Sequence, residues 1–188
     1  MKRIAIFASG SGTNFQAIVE AVKQKRLQAD IALLVCDRPG AKVIERAKKE
    51  GIATFVFHPK DYAEKAEFER DILMRLKEKG IEWIVLAGYM RLIGPTLLSA
   101  YEGKMVNIHP SLLPAFPGKD AIGQAYRAGV KATGVTIHYV DEGMDTGPII
   151  EQRAIPIYEG ESLEQLEARI HELEHQLYPE VLQTLFEH

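Results

Sequence analysis

An amide and an imidazole stand two residues apart in the apolar run MVNIH, where Asn107 and His109 lead into PSLLPAFPG at 110–118. Side chains of an extended strand alternate between faces, so Asn107 and His109 point the same way as Met105, and Val106 and Ile108 point the other way. At the C-terminal end of a parallel strand, that direction opens on the crevice where ligands bind in open α/β sheets. An amide N–H beside an imidazole can stabilise an oxyanion, and the imidazole can also move protons near neutral pH. The same pair could instead be a satisfied polar contact that pins the proline loop. Taken by themselves, these residues leave both readings open.

Three further stretches carry potential chemistry. ASGSGTN, at 8–14, follows an apolar run and opens a helical pattern. Its small residues would let free backbone N–H groups and a helix dipole converge on a phosphate monoester. Asn14 is placed as a helix cap or a ligand contact. The stretch is neither a full dinucleotide fingerprint, because Phe15 takes the third glycine position, nor a P-loop, and an ordinary strand-to-helix turn is the alternative. YVDEGMDTGPI, at 139–149, sets Asp141, Glu142 and Asp145 among Gly143 and Gly147; a solvated turn is its bland reading. Its DTG triplet does not indicate an aspartic protease, which needs two such carboxylates in an all-β frame. HELEH, at 171–175, matches H-E-x-x-H and makes a zinc hydrolase a rival hypothesis. The extended pattern fails, with Tyr178 and Val181 where a glycine and a third histidine would stand. Glu174 lies one turn after Ile170 and one turn before Leu177, at the border of an apolar stripe, as an edge residue or a ligand contact.

The elements that must position these residues follow from periodicity. RIAIFA (3–8), IALLV (31–35), ATFVF (53–57), WIVLAG (83–88), MVNIH (105–109) and TGVTIHYV (133–140) read as strands. Helical patterns separate them: one carries Phe15, Ile18, Val19 and Val22, one ends on Gly51, and one covers 62–79 with Phe68, Ile72 and Leu76 on one face. Shorter helical pieces fall near 95–101 and 119–128. The alternation predicts a Rossmann-like α/β fold, a mostly parallel twisted sheet with helices on both faces. TGVTIHYV and PIIEQRAIPI (148–157) are expected to add an antiparallel edge. A last helix starts at Ser162, with Gln165 completing a capping box and Leu163, Leu166, Ile170, Leu173 and Leu177 forming its stripe.

With 188 residues, 46% of them hydrophobic, the chain is expected to form a single domain over 1–188. Its 23 Lys+Arg against 26 Asp+Glu give a net charge of -3, too weak a field to draw nucleic acid or anionic lipid, so small-molecule partners are expected. Cys36 is the only cysteine, which excludes an intramolecular disulfide and a cysteine-built metal site. The apolar run Ile4–Ala8 is too short for a signal segment, and no run approaches the ~20 residues of a membrane span. A cytoplasmic location is expected. A homodimer stays open beside a monomer.

GSGTNFQ near the N-terminus, LAGYMRLI at 86–93, NIHPSLLPAFPG at 107–118 and HYVDEGMDTGPII at 138–150 together closely resemble the phosphoribosylglycinamide formyltransferases, folate-dependent enzymes of purine synthesis. The resemblance spans essentially the whole chain. Methionyl-tRNA formyltransferases share the central motif but carry an extra C-terminal domain, and formyltetrahydrofolate hydrolases carry an N-terminal regulatory one; neither is expected here. What the resemblance implies is a formyl transfer from 10-formyltetrahydrofolate, a co-substrate, to the amine of glycinamide ribonucleotide, with no metal. It implies that Asn107, His109 and Asp145 are the catalytic trio. Asn107 and a protonated His109 would stabilise a tetrahedral oxyanion while Asp145 assists proton transfer. The N-terminal half would bind the ribotide phosphate through Gly12, Thr13 and Asn14, with Glu174 of the 171–174 segment as a further ribotide contact. The C-terminal half would carry the catalytic residues and the folate site. The implied folate contacts are Lys65, Met90, Arg91, Leu92, Ile93, Asn107, Asp141, Glu142, Gly143, Met144 and Asp145. Lys65 falls where some relatives have an arginine near the folate tail, and Lys119-Asp120-Ala121 departs from some relatives after the central motif.

Overall fold

A computed structural model describes all residues from Met1 to His188. Five parallel strands, β1 (Lys2–Ala8), β2 (Ala29–Cys36), β3 (Thr54–Val56), β4 (Trp83–Leu86) and β5 (Met105–His109), are extended by β6 (Ala132–Tyr139) and β7 (Ile149–Pro156). The last two run antiparallel, as the sequence pattern leads one to expect. The strand order is β3-β2-β1-β4-β5-β6-β7. The winding therefore reverses between β1 and β4, and the crevice beyond their C-terminal ends is where such sheets bind ligands.

Helices α1 (Thr13–Lys23), α2 (Lys42–Lys49), α3 (Lys65–Glu78), α4 (Pro95–Ala100), α5 (Ala121–Ala128) and α6 (Leu163–Phe186) cover both faces. Because strand residues alternate, Ile4, Ile6, Val85 and Val106 enter one core with Phe15 and Ile18 of α1 and Leu166, Ile170 and Tyr178 of α6. Ala5, Phe7, Ile84, Leu86 and Met105 enter the other, against Phe68, Ile72 and Leu76 of α3 and Leu97 of α4. Central strands buried on both faces must be apolar throughout, which is why their sequences read as unbroken hydrophobic runs.

Element ends depart from the periodic pattern where side chains compete with the helix. The helix expected from 62 begins at Lys65, after a 3₁₀ turn over Pro59–Asp61. Tyr62 is drawn away instead: its ring packs edge-on against Phe57 and Phe68, and its hydroxyl donates to Asp71 at 2.8 Å. The α5 helix starts at Ala121 rather than 119 because Asp120 takes a left-handed conformation, with φ at 54°. In α6 the Ser162–Gln165 capping box is present, and Leu166, Ile170 and Leu177 are fully buried while Leu163 and Leu173 flank the core.

Candidate active site

The β5 strand delivers Asn107 and His109 to the face shared with Met105, at the crevice end of the sheet. His109 is buried, and its Nε2 lies 2.9 Å from the Phe116 carbonyl oxygen. A carbonyl only accepts, so Nε2 carries a hydrogen, and Nδ1 is the nitrogen left to gain or lose a proton. Phe116 offers that carbonyl from a left-handed conformation, with φ at 52°. The imidazole thus pins the proline-rich loop and presents Nδ1 to the crevice; the two readings of the pair are compatible.

Asp145 faces that nitrogen, its Oδ2 3.6 Å from His109 Nδ1, and the same oxygen accepts the Gly118 backbone N–H at 2.8 Å. The aspartate sits at φ 57° in the loop between β6 and β7. Loop residues 141–147 close on themselves through Asp141, whose Oδ1 accepts from the Thr146 hydroxyl at 2.6 Å and from the Gly143 N–H at 3.0 Å. The Thr146 hydrogen bond, more than any other influence, holds the Asp141 carboxyl below the usual carboxylate range.

A histidine beside this group escaped the sequence reading. His138 on β6 is the antiparallel register partner of Asn107, and its Nε2 stands 3.3 Å from Asn107 Nδ2. His138 Nδ1 lies 2.8 Å from the Tyr139 carbonyl, so Nδ1 carries the hydrogen and Nε2 accepts from the Asn107 amide. That orients the carboxamide and leaves its second N–H for a ligand. Asp145 Oδ1 is 3.9 Å from the same His138 nitrogen. A polar residue inside the apolar run TGVTIHYV was the available signal, but only the strand pairing shows what it meets.

Asn107, His109, His138 and Asp145 open on one cavity of about 680 Å³. Met90, Arg91, Leu92, Ile93, Asp141, Gly143 and Met144 also form its wall. Lys65 and Glu142 are exposed and lie off that wall. Arg38 and Glu167, which the sequence reading did not single out, do line it, as do Ser9 and Gly10 of the ASGSGTN stretch and Lys119 and Asp120. Met90 and Met144 are 69% and 51% exposed, an apolar surface suited to a flat ring system.

Gly12, Thr13, Asn14 and Glu174 lie off this cavity wall, on α1 and α6, which pack against each other. Gly12 caps α1 at φ 77°, and a Cβ there would collide with Val43 of α2, so glycine is required twice over. The first turn of α1 has neither a side-chain cap nor an acidic residue, which leaves its N–H groups and positive dipole end available to an anion. Asn14 is not the cap: it sits inside the helix, with a buried Oδ1 that has no hydrogen-bond partner. Glu174 is buried, and its Oε1 lies 2.7 Å from His171 Nδ1. That contact raises the His171 pKa, whereas burial lowers that of His175. His171 of the HELEH stretch therefore faces its own glutamate, and no group of three His, Cys, Asp or Glu side chains is arranged around a metal-sized position.

Residues 2–182 match the family described as formyl transferase. The chain is 62% identical over 185 residues to phosphoribosylglycinamide formyltransferase of Bacillus subtilis (strain 168), covering 98% of this chain and 95% of that protein. The crystal structure of glycinamide ribonucleotide transformylase 1 from Geobacillus kaustophilus is similar at a TM-score of 0.96 and 74% identity, over 98% of each chain. A human relative, the trifunctional purine biosynthetic protein adenosine-3, is 37% identical over 183 residues, which are 97% of this chain and 18% of that protein.

Proposed function

The chain belongs to the formyl transferase family, and on that premise we propose that it moves the formyl group of 10-formyltetrahydrofolate to the amine of glycinamide ribonucleotide in purine biosynthesis. One observation carries the reading. An amide donor, an imidazole with one free nitrogen and a carboxylate converge on a single cavity with an apolar wall. Such a set suits acyl transfer between two bound small molecules: the amine attacks the formyl carbon, and the carbonyl oxygen becomes an oxyanion. The free N–H of Asn107 and a protonated His109 Nδ1 stabilise that charge. Asp145 supports the imidazolium and accepts the proton lost by the amine, and a proton passes to the departing folate nitrogen, directly or through water.

The folate lies against Met90, Arg91, Leu92, Ile93 and the loop from Asp141 to Asp145, with Glu142 and Lys65 toward its outer end. The ribotide phosphate lies at Gly12, Thr13 and Asn14, and Glu174 contacts the same substrate. The chain acts as one domain, with small molecules as its ligands. The uncapped first turn of α1 supports the phosphate placement.

The test is turnover with both substrates together, water competing as acceptor. Formylated ribotide produced in step with tetrahydrofolate supports the proposal. Release of formate alone would make the protein a hydrolase, and no consumption of the folate would sink the reading.

A further inference from the structure

Three side chains at the head of the sheet take no part in the chemical steps above, although one of them, Arg91, lies against the folate. Ser9 follows β1, Asp37 follows β2, and Arg91 follows β4. Ser9 and Asp37 are buried, whereas the Arg91 side chain is 42% exposed and reaches the cavity wall. The Ser9 hydroxyl donates to Asp37 Oδ1 at 2.5 Å, and its oxygen accepts the Met90 backbone N–H at 2.9 Å. On the other side of the carboxylate, Arg91 Nε–H donates to Asp37 Oδ2 at 2.8 Å. One buried carboxylate thus fixes two successive residues of the same wall, one through its backbone and one through its side chain.

Chemistry restricts what can stand at each position. Only an ionised carboxylate accepts on both of its oxygens; an asparagine would turn a donor toward either the serine or the guanidinium. Only a hydroxyl at position 9 can donate to Asp37 and accept from Met90 at once. A buried charge is costly without fixed partners, so Asp37 constrains the arginine as strongly as the arginine neutralises Asp37. The guanidinium is held through Nε, lies over Phe68 at 6.0 Å from the ring centroid, and forms part of the cavity wall.

We infer that Asp37, with Ser9 as its relay, is a positioning residue for the formyl donor: it fixes the backbone at Met90 by engaging its N–H, sets the Arg91 guanidinium against the folate, and leaves the ribotide side untouched. This rests on the reading that segment 90–93 binds the folate.

The experiment measures kcat and the KM for each substrate in the parental protein, Asp37→Asn, Arg91→Ala and the double variant. Losing a charge-assisted hydrogen bond corresponds to about ten-fold or more in an equilibrium constant. Asp37→Asn should therefore raise the folate KM about ten-fold, with the ribotide KM and kcat held within about two-fold, and in the Arg91→Ala background should add only the smaller part carried through Ser9 and Met90. An unchanged folate KM, an equal rise in both KM values, or a full additive effect on top of Arg91→Ala would overturn the inference; the last two are what a merely structural aspartate gives. If Asp37→Asn does not fold, Ser9→Ala decides, because it keeps the ion pair and removes only the relay. A rise in the folate KM alone supports the role, and no change overturns it. A parental protein that transfers no formyl group would instead overturn the functional reading, a result visible before any variant is compared.

Discussion

Asn107 and His138 face each other across the β5–β6 pair, amide nitrogen to imidazole nitrogen at 3.3 Å, and this contact decides which way the carboxamide points. A neutral His138, holding its Nδ1 hydrogen on the Tyr139 carbonyl, can only accept at Nε2, so the Asn107 oxygen cannot occupy that side.

His138→Ala should accordingly lower kcat with little change in either KM, because the amide loses its orientation and not its presence. Misplacement of a positioned group costs up to ~10²-fold. Steady-state kinetics on the folded variant check this; a kcat equal to the parental value would remove His138 from the account.

Asp145→Asn keeps the size of the side chain and one acceptor for the Gly118 N–H while removing the charge opposite His109 Nδ1. Positioned acid–base groups contribute about 10²–10⁴-fold, so kcat should fall within that range. Folate binding, followed by calorimetry, should persist. Turnover at the parental rate would show that the proton leaves by another route.

Much of this architecture was legible in the chain because its signals are local. Unbroken apolar runs such as Ile4–Ala8 and WIVLAG mark strands buried on both faces, and the Ser162–Gln165 spacing marks a helix start that the structure reproduces. The resemblance supplied the grouping of Asn107, His109 and Asp145, which local pattern left undecided. What could not be read are pairings between distant segments. His138 looks like any polar residue in a strand until β6 is laid beside β5, and Ser9, Asp37 and Arg91 come together only because β1, β2 and β4 are neighbours in the sheet. The late start of α3 had a similar cause, since the Phe57–Tyr62–Phe68 cluster outweighs local helix propensity.

Gly147 lies where a Cβ would run into the Tyr139 carbonyl, so Gly147→Ala must push the acidic loop away from β6. Overpacking of this kind costs about 1–3 kcal/mol. Chemical denaturation should show a loss in that range, accompanied by a higher folate KM; an unperturbed midpoint would mean that the loop yields freely.

The His171–Glu174 contact carries a pH signature. The folded pKa of His171 lies above its ordinary value of 6.5, so its stabilising contribution is complete below that value and is lost as pH rises through the folded pKa. The stability difference between the parental protein and His171→Gln should therefore be largest below about pH 6.5 and shrink as pH rises above it. His175, whose pKa is lowered chiefly by burial and further by the charge of His171, works in the opposite sense, so His171→Gln recovers part of that cost at low pH and narrows the gap there without reversing its direction. Denaturation curves at several pH values check it, and a gap that widens with rising pH would reverse the assignment.

The central claim is that this cavity stabilises an oxyanion through Asn107, and the most direct measurement is the initial rate of formyl transfer from 10-formyltetrahydrofolate to glycinamide ribonucleotide by Asn107→Ala. Removing one such donor costs about 10²–10³-fold in rate. A folded variant slowed by that factor is expected; transfer at the parental rate would rule out Asn107 as the oxyanion donor.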